Sequence, residues 1–326
     1  MNVKRLAERK WYTAFKEIES LGPVLALLGL IIILSFLSPA FLSVNNFFNI
    51  IQQSSINLII AMGMTVVIIS GGIDLSVGSV LALVGVTMGL LSNRFGVPPI
   101  LSIFLGLGLG TLAGAINGFI ISRTGIPDFI MTLGMLSAAK GMALVITRGL
   151  PVTRLPRPLV YFGSQRFGRY IPMSGIVAIV MVILAWFILN YTKLGRAAYA
   201  IGGNKEAAHA AGIDVKNCKV KIYALLGFFV AVAALVQMGR IYSANALMGT
   251  GQELNAIAAV IIGGASLAGG QGTISGTVVG ALIMGVLGNG LNLMNVSSFW
   301  QEFVIGCLIV LVVVVNMFRS RKLGGN

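Results

Sequence analysis

Ten apolar runs, most of them about a bilayer thickness long, follow one another along this chain with short polar joints between them. They fall at about 21–37, 54–70, 74–92, 98–121, 127–147, 171–190, 219–240, 253–268, 273–293 and 298–318. About 20 apolar residues cross the hydrocarbon core as a helix, so ten crossings use about 200 residues. Little of the 326-residue chain then remains for a soluble domain. Charge agrees: 10% of the residues are charged, against roughly 25% in soluble domains, too few to cover a water-facing surface. The expected fold class is all-α, a polytopic membrane protein of about ten transmembrane helices whose outer faces meet membrane lipid.

An even number of crossings puts both termini on one side. The basic start (Lys4, Arg5, Arg9, Lys10, Lys16) leads into a run that spans a bilayer and ends at Ser38-Pro39. A secretory signal has a shorter apolar core and a small-residue cleavage site, so this run reads as a retained first helix. With both termini cytoplasmic, the joints divide fifteen Lys and Arg inside from seven outside, as the positive-inside rule requires. The net charge of +14 therefore marks orientation, and no nucleic-acid partner is expected. The organisation is a basic segment 1–20, one transmembrane domain 21–318 with a cytoplasmic loop at 191–218, and a tail at 319–326. The stretch "FLSVNNFFNIIQQSS" reads as an interfacial elbow.

Five of the seven outside charges crowd into 148–170: Arg148, Arg154, Arg157, Arg166 and Arg169, with no lysine among them. Arginine forms bidentate pairs with carboxylates, so this loop fits an acidic partner; simple solvation fits it equally. Glycine is the next unusual feature, at 42 residues. Gly106, Gly110, Gly114 and Gly118 recur every four residues, and Gly272, Gly276, Gly280 and Gly288 form a second series. Smooth faces of this kind let helix backbones approach closely in lipid. Two further clusters match each other, "GGIDLSVG" at 71–78 and "GGASLAGG" at 263–270, each after an apolar run ending in isoleucine. Broken or re-entrant helices at corresponding places in two halves point to a transport path.

Asp74, within the first cluster, must face protein or water, because a carboxylate at the bilayer centre is costly. It either caps the following helix or serves the path, and Glu253 has the same two readings. Gln53, Asn57, Asn117, Gln237, Asn289 and Asn292 place uncharged amides in apolar surroundings. Amides suit a hydroxyl-rich, uncharged ligand, since they donate and accept without a counter-charge; hydrogen bonding between helices accounts for them too. Catalytic arrangements are missing. The sequence has no GxxxxGK[ST] phosphate loop, a single histidine, His209, and two cysteines that make no metal-ligand cluster. Asp74 has only Asp128, at a helix edge, as a partner carboxylate for an intramembrane protease.

The inside loop "KLGRAAYAIGGNKEAAHAAGIDVKNCK" contains Glu206-Ala207-Ala208-x-x-x-Gly212, a short helix ended by glycine. This element resembles the coupling loop of ABC importer permeases. The long glycine-rich stretches, "NNFFNIIQQSSINLIIAMGMTVVIISGGIDLSVGS" and "ELNAIAAVIIGGASLAGGQGTISGTVVGALIMGVLGNGLNLM", are similar to the ribose-type monosaccharide permease family over about residues 20–318. The resemblance implies a homodimer with a sugar path, an extracytoplasmic binding protein that delivers the sugar, and an ATPase subunit docked below. Gly202, Gly203, Asn204, Glu206, Ala207, Ala208 and Gly212 would then form the coupling surface. The path would involve Gln53, Asn57, Asp74, Ser76, Asn117, Ser266, Asn289 and Asn292, and the arginine loop would dock the binding protein. ATP and magnesium would be used by the ATPase subunit, with no cofactor in this chain. Ribose is the leading substrate. Xylose, galactose, a furanose or a signalling sugar stays open, as does an ion-coupled carrier using Asp74, Lys140, Glu253 or Glu302.

Overall fold

The computed structural model describes residues 21–168 and 170–323. The basic residues of 1–20, Arg169 and 324–326 lie outside the described residues. In chain order the elements are α1 (Leu21–Leu37), α2 (Val44–Ile69), α3 (Val77–Asn93), α4 (Pro99–Thr124), α5 (Asp128–Thr147) and α6 (Arg157–Ser164). A two-residue hairpin follows, β1 (Arg166–Phe167) antiparallel to β2 (Ile171–Pro172), with Arg166 opposite Pro172. Then come α7 (Met173–Tyr191), α8 (Lys193–Gly203), α9 (Lys205–Ala210), α10 (Val215–Ile241), α11 (Gln252–Ile262), α12 (Ile274–Leu293) and α13 (Ser298–Leu323). Among the described residues the regular structure is helical apart from that hairpin and an isolated bridge between Val152 and Ala244.

Among the described residues six helices, α2, α4, α5, α7, α10 and α12, are long and apolar enough to cross a membrane, and α1, α3, α11 and the part of α13 up to Leu311 are shorter apolar helices. The joints explain these bounds. Ser43 accepts from the Asn46 amide and caps α2, Pro98-Pro99 opens α4, and Gly125 closes it in the left-handed region. Asn204 and Asp214 cap α9 and α10 by accepting from Ala207 and Asn217. Thr273 caps α12 by accepting from Gly276.

Two expectations need correction. The stretch 41–55 is not a separate elbow: α2 runs unbroken from Val44. Its amides find protein partners, Asn46 exchanging two hydrogen bonds with Asn289 at 2.9 Å each and Gln52 donating to the Gly163 carbonyl. The 191–218 loop is almost wholly helical, because α8 extends straight on from Thr192, whose hydroxyl accepts from Gly195.

Helices α2 and α10 form the centre, 78% and 72% of their spanning windows being buried, whereas α5 is 17% buried and turns most of its surface outward. The first glycine series does seat α4 on α10. A side chain at Gly110 would meet the Gly227 carbonyl, one at Gly114 the Tyr223 carbonyl, and one at Gly118 the backbone of Lys219 and Val220. Backbone-to-backbone contact of this kind replaces the hydrophobic drive that lipid removes. The second series is only partly a packing face: Gly276 and Gly280 press on α11, Gly272 precedes α12, and Gly288 has open space around it. Gly285, outside the series, meets Ser54 of α2 instead.

Gly114→Ala forces apart two backbones and should destabilise the fold by about 1–3 kcal/mol. Gly108, on the same helix with nothing within 4 Å of an added Cβ, is the control: Gly108→Ala should be neutral or slightly stabilising. Thermal unfolding of the two variants in detergent checks the contrast, and equal midpoints would contradict the packing assignment.

Candidate functional site

The matching glycine clusters interrupt two helices, and the interruptions meet. α2 ends at Ile69, and residues 71–76 run on without helical bonding until α3 starts at Val77. α11 ends at Ile262, and 263–273 form an irregular turn before α12. Gly269 and Gly270 adopt φ of 88° and 73° in that turn, values that glycine alone reaches without strain. The Gly270 amide donates to the Ile69 carbonyl at 2.8 Å, joining one break to the other. Each interruption thereby supplies a partner for the other's exposed backbone.

The end of α8 closes this junction. A Cβ on Gly202 would run into the Ile69 carbonyl and the Gly270 amide, and one on Gly269 would lie 2.9 Å from the Gly202 Cα and 3.0 Å from that of Gly71. One turn earlier the Tyr199 hydroxyl donates to the Gly272 carbonyl at 2.8 Å. An open cleft of about 350 Å³ lies alongside, bounded by Gly71, Gly203, Glu206, Lys219 and Ala268. Of the residues expected on the coupling surface, Gly203, Asn204, Glu206 and Ala207 are exposed, Ala208 is buried, and Gly212 ends the α9 turn at φ 83°. The hydrogen bond from Asn217 holds the exposed Asp214 carboxyl below its usual range. Its cap on α10 is therefore present above the unfolded carboxyl pKa and lost as pH falls through the lower folded value.

Three expected path residues form one cluster. Asp74 is buried, its Oδ1 accepting from the Ser76 amide at 2.8 Å and the Ser76 hydroxyl at 2.6 Å. Asn117, on α4 and wholly buried, donates to Asp74 Oδ2 at 3.1 Å and to the Ser76 hydroxyl oxygen at 3.0 Å. Asp74 thus shapes a turn ahead of α3 and binds α4, while Ser76 occupies the cap position. The other five are apart from this cluster. Gln53 and Asn57 lie half-buried on α2, and the Asn57 carbonyl oxygen has no partner. Ser266 stands in the second break, accepting from Ala268. Asn289 is paired with Asn46, and the exposed Asn292 accepts from Gln301.

At the opposite end of the bundle, Arg148, Arg154, Arg157 and Arg166 are all exposed. The loop that bears them is folded: Leu159 and Val160 of α6 are buried, and Gly163 packs on Gly239 of α10. Val152 exchanges backbone hydrogen bonds of 2.7 and 2.9 Å with Ala244, in the stretch between α10 and α11. Glu253 opens α11 and accepts from the Gly251 amide. Sequence reasoning passed over a trio at the junction, Asp128, Lys219 and Tyr223, and weighed Asp128 only as a protease carboxylate. The signal available was positional: Lys219 and Tyr223 lie four apart on one helix, and Asp128 stands directly after Pro127.

Because Gly202 is wedged between the two breaks while Gly203 has open space, Gly202→Ala should lower the unfolding temperature in detergent, by the equivalent of about 1–3 kcal/mol. Gly203→Ala should leave it unchanged; a matched loss in both would refute the wedge.

The model of the branched-chain amino acid transport system permease component family matches residues 46–313. The ribose import permease protein RbsC of Escherichia coli K12 is 42% identical over 319 residues, covering 97% of this chain and 99% of that protein. RbsC of Bacillus subtilis 168 is 44% identical over 307 residues, 93% and 94% of the two chains. The D-allose transport system permease protein AlsC of E. coli K12 is 38% identical over 303 residues, 92% of each. No solved structure matches the chain. With the match covering most of its length and six helices able to cross a membrane, the chain belongs to the family of transport-system permease components, as a multi-pass protein of the bacterial cell membrane.

Proposed function

We propose that this chain is the membrane-spanning subunit of an ATP-driven, binding-protein-dependent sugar importer, with ribose as its sugar. The observation that carries the reading is the end-to-end similarity to ribose import permeases at 42–44% identity. The six helices long enough to cross a membrane support a multi-pass subunit, and the proposed subunit crosses ten times with both termini cytoplasmic. The complex contains two copies of the chain, a cytoplasmic ATPase that uses ATP and magnesium, and an extracytoplasmic binding protein.

On this reading α8 and α9 form the coupling surface, with Gly202 and Gly203, Asn204, Glu206, Ala207, Ala208 and Gly212 at or next to the ATPase contact. ATP binding draws the coupling helices of the two copies together, and the wedge at Gly202 carries that displacement into both glycine breaks. Asp74, Ser76 and Asn117 hold the first break, and Ser266 marks the second. Asn57, with a carbonyl oxygen to spare, offers a sugar hydroxyl an acceptor, and Gln53 lies one turn away on α2. The exposed Arg148, Arg154, Arg157 and Arg166, together with Arg169 of the same sequence segment, dock acidic lobes of the binding protein.

A branched-chain amino acid is the poorer cargo, because a carboxylate in the path needs a cation. Among the described residues the buried polar set contains no arginine or lysine. A second sugar reading has its own support in the D-allose relative.

Proteoliposomes holding this chain with its ATPase test both. Ribose-loaded binding protein should stimulate ATP hydrolysis and ribose uptake; stimulation by the allose-loaded form alone moves the substrate to allose. Uptake driven by an ion gradient without the ATPase would overturn the importer reading. Glu206→Arg should abolish uptake while the protein still inserts, and normal uptake by that variant would sink the coupling assignment.

A further inference from the structure

Beside the coupling junction, three side chains connect α10, the start of α5 and the first glycine break. Lys219, on the first turns of α10, pairs with Asp128 at the start of α5, its Nζ lying 3.0 Å from Oδ2 and 3.3 Å from Oδ1. The two side chains are 12% and 17% exposed, so solvent screens the pair far less than a surface bridge. Tyr223, one turn further along α10 and wholly buried, donates to Asp128 Oδ2 at 2.6 Å. The same hydroxyl lies 3.2 Å from the carbonyl oxygen of Ile73, inside the first glycine break. Gly72 packs against the pair so closely that a Cβ there would come within 2.7 Å of both Asp128 Oδ2 and the Tyr223 hydroxyl.

A phenol carries one proton, while the carboxylate and the peptide carbonyl only accept. The Tyr223 hydroxyl therefore donates in full to one of them at a time. In this structure the shorter bond goes to Asp128, and Ile73 takes the weaker share. Lys219 and Tyr223 ride on the same helix, so a shift of α10 against α5 loosens both of their contacts with Asp128 together. The proton is then left for Ile73, and the break becomes tied to α10. Room for the shift exists, since Lys219 borders the open cleft that it shares with Gly203 and Glu206.

We propose that Asp128, Lys219 and Tyr223 form a latch between the exit of the coupling helices and the first glycine break, holding the break in one of two positions according to where α10 stands. The proposal rests on the importer reading and deepens it. These are positioning residues: they act on the sugar path through the break, and none of them is assigned to the sugar itself.

The test follows the break directly. In the full complex with ATPase and binding protein in proteoliposomes, Cys218 and Cys307 are replaced by alanine and Leu75→Cys is introduced as a reporter. The rate of maleimide labelling is then read with and without ATP and vanadate. The latch requires nucleotide to change the labelling rate severalfold in this background and in Lys219→Arg, which keeps the cation. It requires the change to vanish in Tyr223→Phe and Asp128→Asn while ATP hydrolysis persists and ribose uptake per ATP falls. Lys219→Met, at the cleft edge, carries the test should the buried variants fail to assemble. A nucleotide response that survives in Lys219→Met or Tyr223→Phe overturns the latch, as does a background protein whose labelling ignores nucleotide. Labelling that switches as expected without ribose uptake refutes the ribose assignment and leaves the latch standing.

Discussion

A peptide group without a hydrogen-bond partner costs several kcal/mol in hydrocarbon, so a helix that crosses a membrane can be broken only where other protein or water covers the break. This chain has two non-helical glycine stretches, one between α2 and α3 and one between α11 and α12, and sets them against each other. The bond from the Gly270 amide to the Ile69 carbonyl is the seam. Its geometry demands glycine on both sides, since a side chain at Gly202 or Gly269 would hold the backbones apart. Close backbone approach accounts for further glycines elsewhere in the bundle. Gly110, Gly114 and Gly118 bring α4 onto α10, and α10 in turn places Tyr223 beside the first break.

The second break has a further consequence, because the segment that leads into it is held at both ends. Ala244 is paired with Val152 in the arginine-bearing loop, and Gly270 and Gly272 are held by Ile69 and by Tyr199 of α8. Between these anchors lie a connector, the eleven residues of α11 and the glycine turn that follows it. A short rigid helix between two anchored ends passes a displacement along more faithfully than a flexible loop. In this bundle α11 is such a strut, lying between the pairing with the arginine-bearing loop and the junction of the glycine turns. Close approach of Gly78 and Gly249, each occupying the space where the other's side chain would be, places the start of α3 against the same strut. The two interrupted helices therefore share contacts at two levels of the bundle.

The helical class, the run positions and the pairing of "GGIDLSVG" with "GGASLAGG" were legible because each rests on local pattern: apolar length, glycine spacing, capping residues. The α9 helix was legible for the same reason, with Asn204 before it and Gly212 after it. The missing parts depended on which helix faces which. Asn289 looked available to a ligand until Asn46, 243 positions away, took both of its hydrogen bonds. Asp74 read as a cap because caps are local, and its tie to Asn117 of α4 could be found only from the packing of the glycine face. Asp128, Lys219 and Tyr223 are unremarkable in sequence and become a unit only when α5 and α10 converge. Gly288 shows the reverse error, for its spacing fits a packing face that its surroundings do not supply.

The distribution of charge bears on what such a path can carry. Asp74 is the one carboxylate among the buried residues described, and it accepts hydrogen bonds from Ser76 and Asn117, so its acceptors are engaged within the protein. The remaining polar groups of the interior are hydroxyls and amides, such as the Thr65–Thr277 pair at 2.8 Å that links α2 to α12. Hydroxyls and amides of this kind offer a neutral polyol exchangeable hydrogen bonds of about 1 kcal/mol net each. Weak contacts are what passage requires, because a site that held the sugar tightly would slow its release at every cycle. Affinity then belongs to the binding protein, and the permease is left to supply a route and a means of switching it.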